Sequence, residues 1–152
     1  MVTAVDMLPD TSAGALTGER LASVQSAIGL LLPDTYLQFL RATNGGVPRL
    51  DTLTVYGRDI VIDRFLSIVD DYRNSDLGFY DVEVVWSQVE DRLGDRLVPI
   101  ATTFGGDLLC LNYSDKSEPT VILWDHEKSA TDQPITYPVA DSFAALTEMV
   151  SM

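Results

Sequence analysis

The sequence predicts a single α+β domain with a mostly antiparallel or mixed β-sheet flanked by helices. Three observations support this fold class. The chain has 152 residues, the usual size of one domain. Apolar residues recur at helical spacing near both ends and once in the middle, with strand-like runs between these segments. Strands and helices do not alternate regularly, which argues against a doubly wound parallel sheet.

Residues 17–31 have the spacing of an amphipathic helix. Its predicted apolar face is formed by Leu21, Val24, Ile28 and Leu31. Thr17 is a suitable N-cap because its hydroxyl can accept a hydrogen bond from a free backbone amide. Residues 1–16 are small, polar and interrupted by glycine and proline. We therefore expect a flexible arm there, followed by a domain of residues 17–152.

A second helix is predicted to begin at Pro33, which favours the first helical position, and to bury Tyr36 and Phe39. It is predicted to end at Asn44-Gly45-Gly46, since glycine adopts a left-handed conformation without a Cβ clash. One glycine is enough to end a helix. The second glycine permits a sharp turn or a close approach of the backbone.

The remaining elements follow from β-branched runs and from two further helical patterns. Strands are predicted at residues 52–56, 60–69, 97–101, 107–113, 120–124 and 135–139. A helix is predicted at 82–93, ended by Gly94, because its valines and Trp86 fit one helical face. A last helix is predicted at 141–150, capped by Asp141 or Ser142 and with Phe143, Leu146 and Val150 as its apolar stripe.

The net charge of −13 limits the classes of partner. Nucleic acids and anionic membranes need basic patches, so neither is expected, whereas a basic protein would be attracted. The excess acidity lies after residue 58, and solubility alone is a sufficient explanation for most acidic proteins. If the charge serves a partner, the candidate contacts lie in and beside one polar connection: Asp70, Asp71, Asp76, Asp81 and Glu83.

One cysteine, Cys110, lies in an apolar run and excludes an internal disulfide. No apolar run is long enough to span a bilayer, and the N-terminal residues lack the pattern of a signal peptide. We therefore expect a cytoplasmic protein with a buried, unreactive thiol.

Two stretches contain chemically interesting residues. Gly105-Gly106-Asp107 lacks the spacing of a dinucleotide fingerprint and the lysine of a P-loop, so a tight turn is the better interpretation. Asp125-His126-Glu127 includes the only histidine, but neighbouring residues of an extended strand point to opposite faces. No catalytic residues, metal ligands or cofactor are predicted. An enzyme would require a cleft that joins His126 with carboxylates such as Asp107 and Asp125.

Several blocks of the sequence resemble the SUKH superfamily, and they occur in that family's order. The first block is LPDTYLQFLRATNGG at residues 32–46, and DRFLSI follows at 63–68. VPIATTFGGDLLCLNY at 98–113, VILWDHE at 121–127 and VADSFAALTEMV at 139–150 complete the set. The similarity covers about residues 17–150.

This resemblance implies an α+β fold and a protein-binding function without a shared catalytic residue set. Many SUKH members resemble immunity proteins that bind and neutralise a bacterial toxin, often a nuclease. Fungal relatives regulate cell-wall assembly through protein contacts, so a regulatory interaction module without a toxin partner is the alternative. The resemblance implies a structural role for a set of recurring residues: Pro33, Tyr36, Phe39, Asn44, Gly45, Gly46, Gly105, Gly106, Asp107, Trp124, Asp125 and Glu127.

Overall fold

The computed structural model describes residues 2–114 and 118–151. Within these ranges the helices are α1 (Gly18–Ile28), α2 (Asp34–Ala42), α3 (Val82–Leu93) and α4 (Phe143–Met149). The strands are β1 (Thr52–Val55), β2 (Arg58–Phe65), β3 (Leu97–Thr103), β4 (Leu108–Asn112), β5 (Thr120–Trp124) and β6 (Thr136–Ala140). A 3₁₀ turn, Gly78–Tyr80, precedes α3.

The strands form one sheet whose order in space is the order in sequence, from β1 to β6. Each neighbouring pair is antiparallel. Helix α3 packs on β3, and α4 packs on β5 and β6. β1 and β6 are the edge strands, and Pro138 in β6 is compatible with this position because proline has no amide hydrogen. The predicted α+β class with an antiparallel sheet is confirmed.

The bounds of β5 agree with the predicted strand, but β2 ends four residues earlier than predicted. Beyond Phe65 the backbone is buried, and its hydrogen bonds go to several segments: Leu66 N donates to Ile100 O and Ser67 N to Tyr80 O, whereas Ile68 bonds to a side chain. The amide of Ile68 donates to Asn44 Oδ1, and its carbonyl accepts from Asn44 Nδ2, both at 2.9 Å. One asparagine side chain thus satisfies both backbone polar groups of Ile68, which has left the sheet.

Helix α1 begins as predicted, because the Thr17 hydroxyl accepts a hydrogen bond from the Arg20 amide. The predicted apolar face is right for Val24, which is fully buried, and wrong for Leu31, which is 77% exposed. The reason is the early end of α1 at Ile28. Gly29 adopts a left-handed conformation and turns the chain away from the helical face.

Helix α2 differs from the prediction at both of its ends. Pro33 is the N-cap and not the first helical residue. The helix ends at Ala42, and the C-cap Thr43 is extended, so neither Gly45 nor Gly46 forms a left-handed cap. Both glycines do have positive φ, +73° and +126°, but they shape the next turn of the chain.

The core is centred on an aromatic cluster that joins α2, α4 and β2. The Phe143 ring lies edge-on to Tyr36 at 5.0 Å and to Phe39 at 5.1 Å, and Phe39 also contacts Phe65 at 5.1 Å. Edge-to-face pairs of this kind stabilise a core beyond their burial of apolar area. Tyr36 and Phe39 are therefore core residues, and the structural role that the resemblance implied for them stays a prediction.

Replacing Tyr36 by phenylalanine is expected to raise the free energy of unfolding by about 1 kcal/mol. The Tyr36 hydroxyl is buried and has no hydrogen-bond partner among residues 2–114 and 118–151, so folding removes its water without replacement. Urea unfolding of Tyr36→Phe measures the change. Tyr113→Phe is the control, because the Tyr113 hydroxyl donates to the Leu31 carbonyl at 2.8 Å. Destabilisation of Tyr36→Phe by as much as the control would contradict the prediction.

The N-terminal segment contacts the chain on both sides of the Asn44-Gly45-Gly46 corner. Leu8 N donates to Val47 O at 2.7 Å, and Ala13 N donates to Asn44 O at 3.0 Å. Val5 is buried. The sequence predicted a flexible arm and did not predict these contacts with the domain. Its flexibility in solution stays a prediction.

Cys110 is buried in β4, as predicted, and burial raises the pKa of its thiol. A thiol with a raised pKa supplies little of the reactive thiolate. Among the helices of the described ranges, none has the length and apolarity needed to cross a membrane.

Candidate functional site

Three of the predicted contact residues lie on an exposed connection between β2 and the 3₁₀ turn, here called the acidic loop (residues 70–76). Asp70, Asp71 and Asp76 are exposed on it. The Thr17 hydroxyl donates to Asp70 at 2.9 Å, and the Asn74 amide donates to both carboxylate oxygens of Asp71 at 3.1 Å. Neutral donors hold these two carboxylates while their negative charge remains available to a partner.

The acidic loop is attached to the domain through the Asn44-Gly45-Gly46 corner. The Asn44 amide donates to Gly14 O at 2.8 Å, in addition to its two hydrogen bonds with Ile68. Ser67 Oγ donates to Asn44 O at 2.7 Å. The corner thus fixes residues 67 and 68, from which the acidic loop departs. These hydrogen bonds are consistent with the structural role that the resemblance implied for Asn44, which stays a prediction.

Asp81 does not belong to the exposed contact surface, which corrects the prediction. Its side chain is 0% exposed, and its carboxylate accepts from the amides of Val69, Glu83 and Val84. It is the N-cap of α3 and forms an ion pair with Arg20 at 2.8 Å. A carboxylate with these partners has no capacity left for another protein, so its role is structural.

Arg20 is the buried partner of Asp81, and its role was not predicted from sequence. The side chain is 6% exposed, and its guanidinium bonds to Asp81, to Glu83 Oε1 at 2.9 Å and to Val69 O at 2.9 Å. The guanidinium carbon also lies 4.5 Å from the centre of the Tyr72 ring. One buried cation therefore links α1, α3 and the start of the acidic loop.

Glu83 is partly exposed although it forms an ion pair with Arg20, since 25% of its side chain is accessible to solvent. It is the first member of a row on α3, here called the acidic stripe: Glu83, Ser87, Glu90 and Asp91. These positions are spaced i, i+4, i+7 and i+8, so they share one face of the helix. Ser87, Glu90 and Asp91 are exposed.

Phe79 is an exposed aromatic residue in the 3₁₀ turn that follows the acidic loop, and sequence reasoning missed it. The side chain is 76% exposed. Neighbouring Gly78 is buried against the Tyr72 carbonyl, which leaves no space for a Cβ atom at that position. The turn is therefore held close to the acidic loop while the ring of Phe79 projects outward.

A second polar cluster joins the β3–β4 turn to the segment after β5. His126 Nδ1 lies 2.5 Å from Asp107 Oδ1, and the His126 amide donates to the same oxygen at 3.0 Å. The imidazole lies over Gly106, whose φ is +92°. Arg58 reaches Asp107 Oδ2 at 4.0 Å. Gly106 and Asp107 thus hold two loops together, while Gly105 has open space around it.

Of the two carboxylates that the enzyme alternative placed with His126, Asp107 contacts the imidazole, whereas Asp125 bonds to other groups. Its Oδ1 accepts from the amides of Glu127 at 3.0 Å and Lys128 at 2.9 Å, which forms a turn directly after Trp124. The Glu127 side chain is exposed and lies 3.8 Å from His126 Nε2, while its backbone amide is part of the turn. Within the described ranges no group of three or more potential ligands could hold a metal ion.

Asp125 is expected to give the folded protein a pH-dependent stability. The Lys128 amide, which donates to the carboxylate, is the main cause that lowers the Asp125 pKa below its usual 3.8. A group whose pKa is lower in the folded state than in the unfolded state stabilises the fold at pH values above its unfolded-state pKa. This contribution disappears as the pH falls through the lower, folded-state pKa.

Urea unfolding of the wild type and of Asp125→Asn between pH 7 and pH 3 measures this dependence. The stability difference between them is expected to shrink as the pH falls below 3.8. A difference that stays constant over this range would show that the charge of Asp125 does not contribute. Glu127→Gln, which changes an exposed carboxylate beside it, is the control.

Trp124 and Pro33 complete the residues for which the resemblance implied a structural role. Trp124 is buried at the end of β5, and its indole Nε1 donates to Arg92 O in the last turn of α3 at 3.1 Å. Pro33 caps α2. Of the predicted contact residues, Asp70, Asp71 and Asp76 are exposed, Glu83 is partly exposed and Asp81 is buried, and Phe79 is a further exposed residue near them.

Comparison with known proteins agrees with this architecture. The model of the SMI1 / KNR4 family (SUKH-1) matches residues 15–149, which is most of the chain. A relative from Bacillus subtilis (strain 168), described as SPbeta prophage-derived uncharacterized protein YokK, is 26% identical over 140 residues. That alignment covers 84% of this chain and 70% of the relative. The chain belongs to the SMI1/KNR4 family, SUKH-1.

Proposed function

We propose that this chain is a cytoplasmic, non-enzymatic immunity protein that binds and neutralises a cognate bacterial toxin. The SMI1/KNR4 family includes immunity proteins and is associated with protein–protein interaction, which supports a binding function. The partner is a basic protein, with a nuclease as the type that fits best. Exposed carboxylates can occupy the surface on which such an enzyme binds phosphates.

The observation that carries this proposal is the exposed ring of Phe79 beside the carboxylates of the acidic loop. Protein interfaces typically combine an apolar or aromatic centre with a polar rim. Aromatic residues are also among those that contribute most to binding when a partner covers them. Phe79 supplies the apolar centre, and Asp70, Asp71 and Asp76 supply a rim of net negative charge, since the loop has one arginine, Arg73.

The overall charge supports a basic partner and a dependence of binding on salt. A protein of net charge −13 attracts cations over distances that salt screens, about 10 Å at 0.1 M. Rim charges of this kind mainly accelerate association and favour the correct partner. We therefore expect tighter binding at low salt and slower association at high salt.

The test is recovery of the partner from native lysate and secretome at low and high salt, followed by an assay of the partner's toxic activity. A basic toxin that is recovered and inhibited would support the proposal. Phe79→Ala is expected to weaken binding by at least about tenfold, because an anchor residue contributes more than about 1.4 kcal/mol. Phe104→Ala is the matched control, since Phe104 is also exposed but lies on the β3–β4 turn.

Recovery of a housekeeping protein, with no toxin inhibited, would favour the regulatory interaction module. The neighbouring genes provide an independent comparison, because a large secreted toxin beside this gene favours immunity. Equal effects of the Phe79 and Phe104 variants on toxin binding would reject the acidic loop as the contact surface, even if inhibition itself is observed.

A further inference from the structure

A cleft of about 840 Å³ lies at the opposite end of α3 from the acidic loop. Apolar side chains line its interior: Ile28 from α1, Trp86 and Leu93 from α3, and Leu97 from β3. Its rim carries four carboxylates: Glu90, Asp91, Asp95 and Asp132. The cleft therefore combines an apolar interior with a rim of net negative charge, which is the arrangement of a binding groove for an amphipathic cation.

The rim carboxylates are free to bind a partner. All four are exposed, and none forms an ion pair with any of residues 2–114 and 118–151. Arg96 also lines the cleft, but its guanidinium donates to the carbonyls of Tyr113 at 2.9 Å and Ser114 at 3.3 Å. The local excess of negative charge is thus neutralised only in part.

Hydrogen bonds hold the two sides of the cleft in place. Asp132 N donates to Asp91 O at 2.8 Å, which sets two rim residues side by side although forty-one positions separate them in sequence. Arg92 Nη1 donates to His126 O at 2.9 Å, and Trp124 Nε1 donates to Arg92 O. A site that is already formed requires little ordering when a ligand binds.

We propose that this cleft binds a short basic segment of the partner protein. Arginine or lysine head groups of that segment lie among the rim carboxylates, and their methylene stems or an adjacent apolar side chain lie against Trp86. The occupant is a peptide segment because the cleft offers apolar contact as well as charge. This inference rests on the proposed function and adds a second contact region to the acidic loop.

The two regions suit one partner because α3 connects them. The helix has 12 residues, so its ends are about 18 Å apart at 1.5 Å per residue. The acidic stripe runs along it from Glu83, near the acidic loop, to Glu90 and Asp91 on the cleft rim. A standard interface, of about 800 Å² on each partner, spans such a distance.

The probe is a blocked peptide, acetyl-Arg-Arg-Leu-Arg-Arg-amide, titrated into the ¹⁵N-labelled full chain and followed by NMR. Amide shifts are expected at residues 86–97 and 132–136 and not in the acidic loop. The emission of Trp86 is expected to change, while the other tryptophan, Trp124, is buried. Absence of binding, or shifts centred on another surface, would overturn the proposal.

A pair of charge-matched variants distinguishes the cleft from general electrostatic attraction. Asp91→Asn/Asp95→Asn/Asp132→Asn neutralises three rim carboxylates, and Asp70→Asn/Asp71→Asn/Asp76→Asn neutralises three carboxylates of the acidic loop. The cleft variant is expected to bind the peptide at least about tenfold more weakly, and the loop variant less than about twofold. Equal weakening by both variants would overturn the proposal.

The same variants separate failure of this inference from failure of the proposed function. A toxin that is inhibited equally well by the wild type and by the cleft variant would reject the cleft and retain immunity. Peptide binding confined to the cleft, with no toxin inhibited, would retain the cleft and reject immunity. Spermine, a small polycation, is added as a competitor. If spermine displaces the peptide and the peptide itself causes no change at Trp86, the rim binds small polycations, and the peptide proposal is overturned.

Discussion

Asp81→Ala is expected to lower the free energy of unfolding by about 3 to 5 kcal/mol, the usual cost of breaking a buried ion pair. The substitution leaves the buried Arg20 guanidinium without its closest carboxylate. It also removes the acceptor for the amides of Val69, Glu83 and Val84, and with it the cap of α3. Urea or guanidinium unfolding, followed by circular dichroism, measures the loss.

Two further variants assign the cause of this loss. Asp76→Ala changes an exposed carboxylate and is expected to alter stability by no more than about 0.5 kcal/mol. Arg20→Met combined with Asp81→Ala removes both charges. It is expected to be more stable than the sum of the two single variants predicts, since no fully buried charge is left unpaired and only the partly exposed Glu83 loses its partner. A loss below about 1 kcal/mol for Asp81→Ala would contradict the role assigned to this residue.

Gly45→Ala is expected to destabilise the protein by about 3 to 5 kcal/mol, through two effects of similar size. The first is the positive φ of +73°, which an L-residue with a Cβ atom adopts at a cost. The second is a clash, because a Cβ atom at this position would lie 2.6 Å from the backbone oxygen of Leu66. Backbone atoms of a buried segment cannot move aside as a flexible side chain can.

Gly57→Ala separates these two effects. Gly57 has the same φ of +73°, but a Cβ atom there would meet nothing within 4 Å. It is therefore expected to cost only about 1 to 2 kcal/mol, the contribution of the backbone conformation alone. The difference between the two alanine variants, measured by denaturant unfolding, reports the close approach at Gly45. Equal losses for the two variants would show that the clash is relieved without cost.

The local elements of this fold were predictable from sequence because they depend on short-range patterns. Periodic apolar residues located all four helices and the strands, and Thr17 was recognised as a cap. The early end of β2 was not predictable, since the backbone after it bonds to distant segments, among them the side chain of Asn44, more than twenty residues earlier. The role of Asp81 as an N-cap could have been predicted from sequence, because an aspartate directly before a predicted helix is a typical N-cap.

The exposed surface was harder to predict than the scaffold. Asp70, Asp71 and Asp76 were identified from charge alone, and their exposure agrees with that choice. Phe79 was missed because its segment has no periodicity that separates outward from inward residues. The acidic cleft was missed because Asp132 and Asp91 meet only in the folded chain. Composition indicated that the protein is acidic, but not where carboxylates from distant segments gather.

The edge strand β6 has a consequence for the behaviour of many copies at high concentration. An unpaired strand edge is a template on which another chain can add a strand, and this addition begins aggregation. Pro138 interrupts the row of amide donors in β6, and β1 at the other edge has only four residues. Two copies of the protein, each with a net charge of −13, also repel one another. We expect the protein to remain dispersed when a cell accumulates it in excess over its partner.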